Sequence, residues 1–477
     1  MSQAQNIIEA SVAANQEELI DVSRQIWNYA ELGFEEFQSA ELLCKTLEKH
    51  GFTVTRNLAG IPNAFKAVWG SGKPVIGLLG EFDALPGLSQ KAGCPVHDPL
   101  VEGAPGHGCG HNLLGTGAMG GAFALKDYLE KTGTPGTIIY FGTPAEENFS
   151  GKAFMAREHC FDGVDFVLGW HPAPVNSTYM THSNANVCRS YVFKGVTAHA
   201  GGSPHLGRSA LDSCEIMSVG VNYLREHIIM EARVHYAYVD AGGRAPNVVQ
   251  DHAKVRYLIR APYYRQVKEI VPRVDDIARG AALICGTQLE IVPEGGSSEY
   301  ISNTVLAQNT TEAFHMIGTP HWEDADFALA KSFTESFTEV QKAQQKQQII
   351  KLYGEDHLAE KLAYPLDTRI SDNDPNHEIL GFGSTDVGDV GFICPTFHFN
   401  VATEALGTPG HSWYKTGQVA TAIGQKGMLT ASKVMALSAA LMVEHPDRIE
   451  AAKKEFMAKN NGQYDCPVAD VKEIPKF

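Results

Sequence analysis

The chain has 477 residues, 44% of them hydrophobic, with a formal charge of −16, which is too long for one simple core and predicts two or three compact units. Nucleic acid and an anionic membrane face would both be repelled by so acidic a protein, so neither is expected as a partner. The opening MSQAQNIIEA lacks the basic and apolar regions of a secretory signal and no run approaches the ~18 apolar residues of a membrane span, so a cytoplasmic location is expected.

Helical spacing of Ile8, Val12, Leu19, Val22, Ile26 and Trp27 predicts a first helix ending before Gly33, and a second follows from Ser39 to Gly51. Strands and helices then alternate: an apolar run at Val75 to Leu79, a helix from about Leu113 to Leu129, a β-rich run at Thr137 to Phe141, another helix, then Phe166 to Leu168. Such alternation predicts a mainly parallel α/β sheet. Between residues 186 and 293 the order changes to strand (Val187 to Lys194), helix (Arg208 to Leu224), strand (Val234 to Val239), strand (Ala253 to Arg260), helix (Tyr264 to Leu283) and strand (Gln288 to Val292). This β-α-β-β-α-β order is a complete split βαβ, or ferredoxin-like, domain and reads as an insertion between parts 1–185 and 294–477 of the larger domain. The later segment holds a polar QKAQQKQQ run, read as a solvated helix face or a loop, a buried strand around Phe397 to Val401, and a long alanine-rich helix through Leu441. GSGKP at Gly70 to Pro74 lacks the upstream glycine and the hydroxyl residue of a phosphate loop and is rejected as one.

In an open parallel sheet, ligands gather beyond the carboxyl ends of the strands. Three apolar runs are followed there by ionisable residues: Glu81 and Asp83 in EFDALP, Glu146 and Glu147 in TPAEEN, and His171 in GWHPAP. Between the first two lies GHGCGHN, with Cys109 and His111 on a glycine-rich loop that opens a helix. Each feature alone has a plain structural explanation. A Glu-Glu pair is commonly two solvated carboxylates, Asp83 beside a proline can cap a turn, and His171 between Trp170 and Pro172 can be a core histidine. Their equivalent topological positions point instead to one cleft. Thiolate, imidazole and carboxylate together suit zinc, manganese or cobalt rather than magnesium or calcium. Two such metals activate a water and polarise a substrate oxygen, and one glutamate of an adjacent pair can ligate while its neighbour takes the proton. The nine cysteines show no paired spacing and are expected to be reduced; only Cys109 has ligand-type neighbours.

These segments resemble the metallopeptidase and aminoacylase family that includes glutamate carboxypeptidase, aminoacylase and hippurate hydrolase, and the resemblance spans nearly the whole chain. DALP and the C-G-H pattern resemble its amidohydrolase branch, as do EFDALPGLSQ, GHGCGHNLLGTG, SPHLGRSALD, STDVGDV and GTPGHSW. The resemblance implies a zinc-peptidase-like catalytic domain carrying an inserted dimerisation or lid domain, and two divalent metal ions per protomer, Mn2+ or Zn2+. It makes Glu146 the general base, Cys109, His111, Glu147, His171 and His411 the metal ligands, and Asp83 a residue that orients a ligand. His199 in KGVTAHAGGSPH would stabilise the oxyanion of a neighbouring protomer's site, and Asn247 with Arg260 would hold the substrate carboxylate. Many relatives have His-x-Asp where this chain has Glu81-Phe82-Asp83, so one histidine ligand is missing. The Ser384, Thr385, Asp386 and Asp389 cluster is read as a structural turn.

The reaction implied is attack of water on an amide beside a free carboxylate, the substrate a small acyl-glutamate, p-aminobenzoyl-glutamate by the closer wording. The assembly implied is a homodimer or a hetero-oligomer with a second, homologous chain. Two other readings stay open: a dipeptidase or general N-acyl amino acid hydrolase, and a non-catalytic metal-binding regulatory subunit.

Overall fold

A computed structural model describes residues 2–474 except 148–149, 375, 382 and 461–462. The described chain forms two compact units.

The larger unit is built on an eight-stranded sheet whose centre is parallel, as the alternation of elements predicts. Val75–Gly80 runs parallel to Gly136–Gly142 on one side and to Phe166–Ala173 on the other, and Thr396–Ala402 extends the parallel set next to Phe166–Ala173. Phe65–Ser71 and Thr53–Arg56 close one edge in antiparallel register. Near-continuous apolar strands are what a doubly covered sheet requires: Ile76, Leu78, Leu79, Ile138, Tyr140, Phe141, Phe166, Val167 and Leu168 are all buried.

The central helix, His111–Thr132, is buried along most of its length and packs on Gln3–Tyr29 and Ala422–Glu444. Its glycines permit the close approach, since a Cβ on Gly117 would meet the Trp170 indole at 2.7 Å. Ala422–Glu444 is long and apolar enough to cross a membrane by length and composition. The expectation of no such segment missed it because polar residues interrupt its apolar run. It is 83% buried in its most apolar window, so its apolar surface is spent on the core. Gln341 to Gln348 lies in the helix Glu339–Tyr353 as a mostly solvent-facing stretch rather than a loop, with Gln345 buried and donating to Leu406 O at 2.9 Å.

The smaller unit comprises His182–Ile301 with the described parts of Leu380–Asp389 and Asp465–Phe477. Its antiparallel sheet has the order Gln288–Ser297, Ala185–Lys194, His252–Ala261, Arg233–Asp240, with the helices Ala210–Leu224 and Tyr264–Cys285 packed on it around a separate core. Asp389 is buried there and accepts from the backbone and hydroxyl of Ser298, a structural bond of the kind expected for that turn. All nine cysteines are free thiols.

Candidate functional site

Parallel register places the ends of Val75–Gly80, Gly136–Gly142 and Phe166–Ala173 side by side, so the residues that follow them converge. Gly110, in the left-handed region at φ 85°, turns the chain into the helix His111–Thr132 and leaves Cys109 and His111 on the two sides of the turn. His411 arrives from far along the chain because its backbone N–H donates to Gly108 O at 3.1 Å.

Ligand-type atoms of Cys109, His111 and His171 lie within 4.8 Å of one another, and so do those of Cys109, Glu147 and His411. Cys109 Sγ is 3.3 Å from His171 Nε2, and His411 Nε2 is 3.5 Å from Glu147 Oε2. All five metal ligands expected from the sequence are therefore gathered into two overlapping triads that share Cys109.

The hydrogen bonds fix which nitrogen each imidazole presents. His171 Nδ1 lies 2.8 Å from Pro172 O, which also accepts from Lys415 Nζ at 2.7 Å. A carbonyl can only accept, so Nδ1 carries the proton and Nε2 turns its lone pair toward Cys109. His111 Nδ1 is 2.7 Å from Asp83 Oδ1, so Nδ1 keeps its proton and Nε2 is the nitrogen that a cation would take once its own proton has left. Asp83 Oδ2 accepts the backbone N–H of Glu147 at 2.8 Å. One carboxylate thus orients two of the expected ligands.

Burial sets the proton affinities. It pushes the Cys109 thiol up to about 12, with Glu147 adding to the effect, and pushes Glu147 up to about 7, where Asp83 adds to the rise and His111 opposes it. His171 is held well below the usual imidazole range by burial and by Lys415. For His111, burial is overcome by Cys109 and Asp83, which raise it well above that range. Nε2 of His111 and Oε1 of Glu147 are buried without a hydrogen-bond partner. An unsatisfied buried polar atom is costly, and two of them aimed into one set of thiol, imidazole and carboxylate donors fit a cation.

Three buried groups near this set carry no role in the sequence reading, although Glu81 is one of its strand-end carboxylates. Glu81 Oε2 lies 3.4 Å from His111 Nε2, and Glu81, His111 and Glu146 form a third close group. Glu81 Oε1 pairs with Lys152 Nζ at 2.7 Å, both side chains being fully buried. Removing one partner of such a pair costs about 3–5 kcal/mol, so the two stand or fall together. His398 is buried too, its pKa lowered to about 4 by burial. Glu81 is visible in the sequence as a strand-end carboxylate beside Asp83 and as a departure from His-x-Asp, but neither feature gives it a role. Lys152 and His398 carry no signal, because neither sits in a ligand-spaced motif.

His199, Asn247 and Arg260 belong to the smaller unit. His199 is exposed, and its Nδ1 accepts the backbone N–H groups of Gly201 and Gly202 at 3.1 and 2.9 Å, so Nε2 carries the proton of the neutral ring. Ala200 N donates to Asn247 O at 3.0 Å, bringing those two loops together. Arg260 lies on the strand His252–Ala261, half-buried, with its pKa lowered by burial.

The family description "Peptidase family M20/M25/M40" matches residues 77–361. Among curated proteins, one of the subunits of p-aminobenzoyl-glutamate hydrolase from Escherichia coli (strain K12) is 43% identical over 98% of this chain and 98% of its own length. "Xaa-Arg dipeptidase" of Mus musculus is 27% identical over 93% of this chain and 90% of its own length. Among solved structures, an aminobenzoyl-glutamate utilization protein from Klebsiella pneumoniae shares the fold with a TM-score of 0.60 and 15% identity, covering 92% of this chain and 98% of that one.

Proposed function

The chain belongs to peptidase family M20/M25/M40 and is a hydrolase of amide bonds, and we propose that it cleaves p-aminobenzoyl-glutamate to p-aminobenzoate and glutamate with the help of two divalent metal ions. The observation that carries the reading is the convergence of Cys109, His111, Glu147, His171 and His411, two of whose buried ligand-type atoms have no hydrogen-bond partner, beside the second glutamate of the pair. Near-full-length identity of 43% to a relative named for this substrate supports the acyl group.

Cys109, His111, Glu147, His171 and His411 would hold the ions, as manganese or zinc suits such donors. When bound, the ions supply Lewis acidity toward the amide carbonyl and toward water. Glu146 takes the proton of the attacking water and passes it to the departing glutamate amine. Asp83 keeps His111 and the Glu147 backbone in place. The N–H of His199 suits a developing oxyanion, and we assign it to the site of a neighbouring protomer. Arg260 and Asn247 are assigned the glutamate α-carboxylate, which a guanidinium fork can bind through both oxygens. Attack by water requires no covalent bond between enzyme and substrate.

The relative is named as one subunit of its enzyme, which supports assembly with a homologous partner. We place this chain in a homodimer or in a mixed assembly, through the smaller unit. The experiment is release of p-aminobenzoate by the purified chain after chelation and after return of manganese or zinc, against a panel of acyl-glutamates and dipeptides. Preference for a dipeptide would favour the dipeptidase reading, and a metal-loaded chain inert toward the whole panel would favour a regulatory role.

A further inference from the structure

The turn that presents Glu146 is pinned on both flanks by buried carboxylates from distant parts of the chain. After it, Asp83 Oδ2 accepts the Glu147 N–H. Before it, Glu36 Oε1 accepts the Ala145 N–H at 2.7 Å, across 109 residues of sequence. Glu36 is fully buried, and its other oxygen accepts from Asn63 Nδ2. Glu36 stands at the start of the helix Phe37–Lys49 yet makes no capping bond to it. That work is done by Glu31, whose carboxylate takes the N–H groups of Gln38 and Ser39 at 2.9 Å each. The segment between the first two helices is itself held against the loop after Val75–Gly80, with Ala84 N donating to Glu31 O at 2.8 Å. Glu36 is thus released from its helix and delivered to Ala145. Ala145 needs the anchor: its φ is 59°, a left-handed conformation that residues with a Cβ rarely adopt.

We infer that Glu36 is a positioning residue for Glu146, holding Ala145 in its left-handed turn so that the following side chain points at Glu81 and His111. It acts through the backbone and touches neither substrate nor the ligand set. Burial, then Asp83, raises the Glu36 carboxyl well above its usual range, consistent with a site that asks for an acceptor oxygen more than for charge. The inference rests on the assignment of Glu146 as the base.

The test compares reach with the carboxyl group itself. Glu36→Gln keeps the acceptor oxygen at the same distance and loses the ionisable carboxyl; Asn63 Oδ1 is buried without a hydrogen-bond partner, so the Asn63 amide can turn over to accept from the new Gln. Glu36→Asp keeps the carboxyl and loses about 1.5 Å of reach, which takes the contact with Ala145 beyond hydrogen-bond range. Expected are a kcat for Glu36→Gln within about threefold of the parent and a fall of about tenfold to a hundredfold for Glu36→Asp. KM and metal content should stay unchanged in both. Activity of Glu36→Asp equal to or above that of Glu36→Gln overturns the inference, and so does loss of metal or of fold in both. Glu146→Gln is measured alongside. If it is active, the base assignment has failed; if it is inactive while Glu36→Asp turns over normally, only the role of Glu36 has failed.

Discussion

Asp83 Oδ1 lies 2.7 Å from His111 Nδ1, with both side chains fully buried. Its other oxygen holds the backbone of Glu147, so removal of this carboxylate disturbs two ligands at once. Asp83→Ala is expected to weaken metal binding by about tenfold to a hundredfold, the usual worth of such an orienting group. Titration of metal into chelated protein measures it, and an unchanged affinity contradicts the role.

The glutamate pair should divide its labour. Glu146→Gln is expected to retain metal and to lower kcat by about two to four orders of magnitude. Glu147→Gln is expected to lose metal instead, because its carboxylate lies among Cys109 and His411. Metal analysis beside steady-state kinetics decides, and the opposite pattern would reverse the assignment within the pair.

Metal uptake should depend on pH through Glu147. Burial and Asp83 lift its carboxyl to about 7, so below that pH a proton must leave before an ion can be bound, and above it none must. From this group alone, affinity should fall about tenfold per pH unit below 7. The cysteine thiol, pushed up to about 12, gives up its proton to a metal at every pH in the range and adds slope throughout. Dissociation constants for zinc between about pH 5.5 and 8.5 check this, and a profile with no break near 7 counts against Glu147 as a ligand.

The histidine of the smaller unit is open to a complementation test. His199→Ala should reduce turnover without releasing metal. A mixed dimer of Glu146→Gln and His199→Ala chains should regain activity if the histidine serves its neighbour. No recovery in verified mixed dimers would confine it to its own chain or remove it from the reaction.

The parallel centre of the sheet was legible in the sequence because buried strands write themselves as apolar runs, and the ionisable residues after each run mark the cleft. That logic alone brings Cys109, His111, the Glu146–Glu147 pair and His171 to one cleft; which glutamate ligates comes from the family resemblance. His411 lies outside it: it is one of 19 histidines, and what brings it in is a backbone bond to Gly108, which no composition or spacing encodes. Glu36 and Lys152 were illegible for a related reason. A buried acid in a helix-starting GFEE segment reads as a cap, and a lysine early in a helix reads as solvated. Only tertiary contacts reveal that one anchors Ala145 and the other neutralises Glu81.

With metal bound, this chain should hydrolyse an acyl-glutamate through its own residues. The direct measurement is kcat/KM for p-aminobenzoyl-glutamate with the single chain, with a homologous second chain, and with the pair at equal site concentration, each chelated and then reloaded with manganese or zinc. Turnover by the reloaded single chain is expected, with none after chelation and an increase on adding the homologue. A fully metallated single chain that stays inactive until the homologue is added, or a metal-free chain with full turnover, would contradict that expectation.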